Sequence, residues 1–170
     1  LVKIPSLNGT EGERHLAEYV RDWLAELPYF QEFPEQLVVQ EVKNDPIHRI
    51  NILALVKGTR SDCKDTLILQ GHCDTVDIDG YGSLKEYAFD YDALPEKIKA
   101  LTDDPEVLED INSGDWMFGR GACDMKCGDA ILMCITKYFT EHLDRFDGNI
   151  VYMLNPVEEN QHYGIMDSLD

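Results

Sequence analysis

The sequence has no run of about 18 apolar residues, so it offers no transmembrane helix. Nothing at its start has the basic and then apolar pattern of a signal peptide. The first residue is Leu1 and not Met, which places the expected true N-terminus upstream. Basic residues are scarce, with 15 Lys and Arg against 33 Asp and Glu and a formal net charge of −18. A surface of that sign repels phosphate backbones and anionic bilayers, so nucleic-acid and membrane partners are disfavoured. It suits cations, although solubility alone explains most of an acidic excess. Cysteine is limited to five residues, Cys63, Cys73, Cys123, Cys127 and Cys134, an odd number with no look of a disulfide framework. They read as reduced thiols of a cytoplasmic protein. Repeats and low-complexity tracts are also missing. The 170 residues, 44% of them hydrophobic and 9% aromatic, suffice for one globular domain with a sizeable core.

Hydrophobic periodicity gives the elements. Thr10 and Glu13 form a T-x-x-E capping box, and Leu16, Tyr19, Val20, Trp23, Leu24 and Leu27 follow at helical spacing until Pro28. Leu37 to Val42, Ile50 to Val56, Thr66 to Gln70 and Asn149 to Leu154 read as strands. Near-continuous apolar runs of this kind suit strands buried on both faces. A second helix is predicted from about Lys126 to His142, apolar on most sides and hence well buried. Residues 77–114 are acidic, rich in Gly and Pro, and carry short helical patterns near 95–101 and 105–111. They read as an excursion from the core that lines a site. The order predicts an α/β fold with a mixed or mostly parallel central sheet flanked by helices.

Three clusters of chemistry-bearing residues fall at element ends. His72 and Asp74 follow one strand, Asp124 precedes the second helix, and Glu158 and Glu159 follow the last strand. Ligands of open α/β sheets bind beyond the carboxyl ends of strands. Imidazole and carboxylates are the usual ligands of catalytic zinc, and a metal-bound His needs an acceptor for its other ring N–H, a part Asp74 can play. One of two adjacent carboxylates can hold metal while the other takes a proton from water. Each feature alone has a plainer reading: H-x-D is common, a Glu-Glu pair is usually solvated, and Asp124 alone is by default a helix N-cap.

The stretches Gly71-His72-Cys73-Asp74-Thr75-Val76, Gly119-Arg120-Gly121-Ala122-Cys123-Asp124-Met125-Lys126-Cys127-Gly128 and Asn155-Pro156-Val157-Glu158-Glu159 resemble, in order and spacing, the signatures of the M20 metallopeptidases. Ile4-Pro5-Ser6 and Thr10-Glu11-Gly12-Glu13 are similar to that family's start, so the resemblance covers nearly the whole chain. It implies a zinc-exopeptidase-like, three-layer hydrolase fold and hydrolysis of an amide bond in a small peptide or N-acyl amino acid. It implies that His72 is a ligand of one metal ion, Asp74 its partner, Asp124 a bridge between two metals, Glu158 the general base and Glu159 a ligand of the other. Two divalent ions are implied, zinc usually and cobalt or manganese in some members. Tyr81-Gly82, Ala88-Phe89-Asp90 and Trp116-Met117-Phe118 in the long excursion resemble the family's arginine-utilisation branch.

The match is incomplete. The family's further carboxylate and late His have no counterpart by Asp170, and His162 and Asp167 lie too close to Glu159 to serve. Residues 1–170 are therefore expected to be part of a catalytic domain, without the lid domain through which a homodimer would form. Weak metal binding and no useful turnover are expected of them alone. The rival reading is a non-catalytic binding or assembly module that keeps the fold. Gly119-Arg120-Gly121 as a dinucleotide loop fails because Asp124 would repel a pyrophosphate. Cys123 and Cys127 at C-x₃-C spacing could bind zinc but read better as small buried apolar residues. Cys73 beside His72 invites a catalytic thiol, yet neighbours on a strand end point apart.

Overall fold

A computed structural model describes residues 1–168. The N-terminal apolar spacing forms helix α1 (Gly12–Ala25), which buries Leu16, Ala17, Val20 and Leu24 along one stripe. Burying one such aliphatic contributes on the order of 1.5–3 kcal/mol. The predicted capping box is not how this helix starts. The N-cap is Glu11, with no side-chain cap, and the Thr10 hydroxyl donates to the Leu7 carbonyl. Glu13 does reach back, but to the Gly9 N–H, and it is wholly buried beside Arg49. The buried guanidinium competes successfully for the carboxylate that a surface box would have used. Pro28 both stops α1 and opens α2 (Pro28–Glu32), where its missing N–H costs nothing.

The strands are β1 (Leu37–Glu41), β2 (Ile50–Lys57), β3 (Thr66–His72) and, much later, β4 (Asn149–Asn155). They lie in the order β1-β2-β4-β3. β2 runs antiparallel to both β1 and β4, and β3 is parallel to β4. The sheet is thus mixed, not mostly parallel. A parallel pair needs a crossover of a dozen residues or more. Residues 42–49 are too few for that between β1 and β2, whereas 73–148 intervene between β3 and β4.

That long connection carries two tight turns over Asp79–Tyr87, α3 (Leu94–Lys99), α4 (Pro105–Ser113) and α5 (Cys127–Thr140). The two short helices sit where the sequence pattern placed them. Asp104 caps α4 by accepting the Glu106 N–H, and Gly114 ends it at φ 74°. Ala88 and Leu94 anchor the excursion, the Ala88 carbonyl accepting the Arg120 N–H.

α1 and α5 share one face of the sheet. Ile50, Ile52, Ala54 and Val56 of β2, with Tyr152 and Leu154 of β4, meet Leu16, Val20, Leu24 and Met133 there in one core. The short α6 (Tyr163–Asp167) packs on the opposite face, where Asn51 donates to the Gly164 carbonyl. Farther from α6 that second face opens, and Ile68 is 56% exposed. α5 corrects its expectation: only its Asp129, Met133 and Thr136 side is buried, while Ile131 and Tyr138 are exposed. Periodicity marks an apolar side of a helix without supplying what covers it. No helix among the described residues is long and apolar enough to cross a membrane.

Candidate metal centre

His72 is the last residue of β3 and pairs in register with Asn155, the last of β4, so both strands open into the same crevice. The approach of α5 to β3 demands glycine before it: a Cβ on Gly71 would stand 2.0 Å from Asp129 Oδ1. Beyond His72 the chain turns inward. The Cys73 N–H donates to the Asn155 carbonyl at 2.9 Å, and Asp74 is completely buried. The Asp74 carboxylate accepts the Glu158 N–H at 3.0 Å, the Glu159 N–H at 2.9 Å and the Asn8 side-chain amide at 2.7 Å. His72 Nδ1 lies 3.1 Å from the Asp74 carbonyl and 3.4 Å from its carboxylate. Asp74 therefore holds the His72 ring and also the turn that carries the glutamates.

Asp124 arrives on a different kind of support. Gly121 adopts φ 73°, and a Cβ there would meet Thr75 Cγ2 at 2.6 Å, so the loop turns sharply against the β3 exit. Asp124 and Met125 then leave helical geometry before α5 begins at Cys127. Asp124 is consequently not the N-cap of α5; Lys126 occupies that position. Lys126 is buried, donates to the Ile4 carbonyl at 2.7 Å and sits 4.9 Å over the Phe89 ring. Burial lowers its pKa to about 8, against the pull of Cys73 and Asp129. The Asp124 side chain projects outward, 74% exposed, with Oδ1 3.1 Å from His72 Nε2.

One donor atom from each of His72, Asp124 and Glu159 falls within a 4.8 Å span. Glu158 Oε2 is 3.8 Å from His72 Nε2 at the rim of the same group. Burial disfavours the His72 imidazolium, yet Asp74, Asp124 and Glu158 outweigh it and raise the pKa to about 9. Burial, Asp124, Asp74 and Glu158 push Glu159 upward, against His72. Asp74 stays below its usual range: burial acts against ionisation, but His72, the two backbone N–H groups and Asn8 prevail. The pocket therefore concentrates carboxylates around a single imidazole, a donor set short of positive charge.

Residues 87–170 match the model of peptidase family M20/M25/M40. Protein RocB of Bacillus subtilis is 41% identical over 169 residues, covering 99% of this chain and 30% of that protein. Over residues 87–170 the chain is similar to the M20/M25/M40 peptidases. Human carnosine dipeptidase 1 shares the fold, with a TM-score of 0.60 at 16% identity over 99% of this chain and 32% of its own. The YXEP protein of Bacillus subtilis, described as a dinuclear metal-binding peptidase of family M20, gives a TM-score of 0.50 at 14% identity, over 94% of this chain and 33% of its own. The chain thus spans about a third of the length of these proteins.

Within this chain, other candidates fall away from the cluster. Cys73 is wholly buried in the core, and its thiol is pushed well above its ordinary range, first by burial and then by Glu13, Asp74 and Asp129, so it is no nucleophile. Cys123 and Cys127 are exposed and not buried as expected, and the Cys127 thiol donates to the Cys123 carbonyl. His162 starts α6, and the Asp167 carboxylate accepts the Lys43 N–H.

Sequence reading missed Asp129, which lies 1% exposed behind Gly71 and accepts the Tyr152 hydroxyl at 3.4 Å. Burial raises its pKa to about 7, opposed by His72, Tyr152 and Lys126. Its signal was the 129, 133, 136 spacing, which puts a carboxylate on the core side of an apolar helix.

Proposed function

We propose that the protein is a metal-dependent hydrolase acting on an amide bond of a small peptide or N-acyl amino acid. The observation that carries this reading is the convergence of His72, Asp124 and Glu159 within 4.8 Å at the strand-end crevice. The donor set fits a divalent cation: an imidazole and carboxylates, with a surplus of negative charge that itself lifts His72 and Glu159. His72, Asp124 and Glu159 would be the ligands, with the exposed Asp124 carboxylate the one that two ions would share. A divalent ion held there supplies a Lewis acid and makes water acidic near neutral pH.

The chain's own groups take the remaining parts. His72 gives up its Nε2 proton on taking a cation, while Nδ1 stays turned toward Asp74. Asp74 keeps the ring in that orientation and fixes the backbone of Glu158 and Glu159. Glu158, at the rim, removes a proton from the attacking water and returns it to the leaving amine. Two ions, zinc before cobalt or manganese, belong to the same proposal. So do a homodimer formed through a further domain, a cytoplasmic setting, and the catalytic-domain assignment of residues 1–170, whose 77–114 excursion borders the site. A role in arginine utilisation is proposed from the resemblance at Tyr81-Gly82, Ala88-Phe89-Asp90 and Trp116-Met117-Phe118, alongside the 41% identity to RocB.

The test is elemental analysis of the full-length protein beside its Asp124→Ala variant. About two metal ions per chain, lost in the variant, is the expected result, with hydrolysis of dipeptides or acylated amino acids by the loaded protein. No bound metal after zinc is supplied would overturn the reading and leave a binding or assembly module.

A further inference from the structure

The turn that carries Glu158 and Glu159 begins with Val157, which holds a φ of 67°. That is the left-handed region, where a β-branched residue is an outlier and persists only if its surroundings over-determine it. Val157 is 1% exposed and makes one contact that explains the conformation. Its N–H donates to Glu13 Oε2 at 3.1 Å, across 144 residues of chain. The other oxygen of Glu13 accepts the Gly9 N–H at 2.7 Å and Arg49 NH1 at 3.0 Å. Arg49 is 5% exposed and continues outward through Nε, 3.0 Å from an Asp45 oxygen, and through NH2, which donates to the Tyr163 hydroxyl. That hydroxyl donates to Asp45 at 3.1 Å. Tyr163 opens α6, just past the turn. The segment between Val157 and Tyr163 is therefore gripped at both ends by one buried network rooted in α1 and in the β1–β2 connection, while Asp74 holds its middle.

We infer that Glu13 and Arg49 are positioning residues of the metal centre: through Val157 and Tyr163 they set the backbone from which Glu158 and Glu159 reach the ion. The inference rests on the metal-binding reading above. Partners that orient ligands from behind typically matter by about 10–100-fold in metal affinity.

Glu13→Gln is the sharp variant. It preserves shape, but one amide oxygen cannot accept from both Val157 and Arg49, and the new N–H₂ faces a donor. The experiment strips metal from the full-length protein and titrates zinc against a competing chelator at 25 °C, with circular dichroism reporting fold. Three variants accompany the wild type: Glu13→Gln, Tyr163→Phe, and Val20→Ala as a control on the same helix. Val20 is fully buried within the hydrophobic core. We expect Glu13→Gln to weaken zinc binding by about tenfold or more and Tyr163→Phe by about threefold. Val20→Ala should lower the melting temperature and leave affinity within about twofold. Unchanged affinity in Glu13→Gln, or an equal loss in Val20→Ala, overturns the inference while the metal reading stands. If Glu13→Gln does not fold, unchanged affinity in Tyr163→Phe overturns it. A wild type that takes up no zinc overturns the metal reading, and this inference with it.

Discussion

The proposed metal centre has two halves built on opposite terms. His72 and Asp74 are buried, their side chains 6% and 0% exposed, and both carboxylate oxygens of Asp74 are engaged by the protein. Asp124 stands on a sharply turned loop with its side chain 74% exposed, and Glu158 is 41% exposed. The first half is part of the fold, so the energy of folding preorganises it. The second is anchored through its backbone, while its Asp124 and Glu158 side chains reach into solvent. Function and stability should therefore separate cleanly between them. Asp74→Ala leaves the Glu158 and Glu159 N–H groups and the Asn8 amide without their buried acceptor. A loss of about 3–5 kcal/mol in urea denaturation is expected. Asp124→Ala, by contrast, should change stability by less than about 0.5 kcal/mol while abolishing metal uptake. Equal destabilisation by both would erase the distinction.

How much of this arrangement was legible in the sequence depends on the kind of signal. His72 and Glu159 were visible because apolar runs end just before them and strand ends define a crevice, and Asp124 because it stands just before a predicted helix. The bounds of β2 and α5 followed from periodicity to within two residues at most. Periodicity does not report a neighbour. It could not show that Ile131 and Tyr138 on α5 stay uncovered, or that Glu13 would leave a local cap for Arg49, a residue 36 positions away. The parallel or antiparallel sense of β2 was likewise set by connection lengths and not by its apolar content. Cys123 and Cys127 read as buried because small thiols usually are, but a loop that exposes Asp124 carries its flanking residues out with it.

Asp129 sharpens the account of the buried half through pH. Its folded pKa of about 7 lies above the ordinary value of 3.8. Between those values the fold keeps a proton that the unfolded chain has lost, so stability falls as pH rises from about 4 to about 7 and then levels off. Asp129→Asn is neutral throughout and can still accept the Tyr152 hydroxyl. In the presence of chelator it should be more stable than wild type at pH 8 by about 2–4 kcal/mol, with the slope between pH 4 and 7 flattened. Denaturation midpoints across pH measure both. An unchanged slope would mean that Asp129 is ionised in the fold and that the interior behind Gly71 is wetter than its 1% exposure implies.

The smallest effect is expected where the comparison could most easily fail. Cys123 and Cys127 flank Asp124 on the exposed half at a spacing that suits a thiolate zinc site. If they bound the ion, the exposed half would be a self-sufficient site and His72 a bystander. The geometry argues otherwise. The Cys127 thiol is turned back onto the Cys123 carbonyl, and the donor group within 4.8 Å among the described residues draws on His72 and Glu159 with Asp124. Replacing both cysteines with serine should leave metal content unchanged and alter stability by less than about 0.5 kcal/mol, since both side chains are already in water. Loss of metal in that double variant, with the fold intact, would move the site from the strand ends to the loop and undo the division between a buried half and an exposed one.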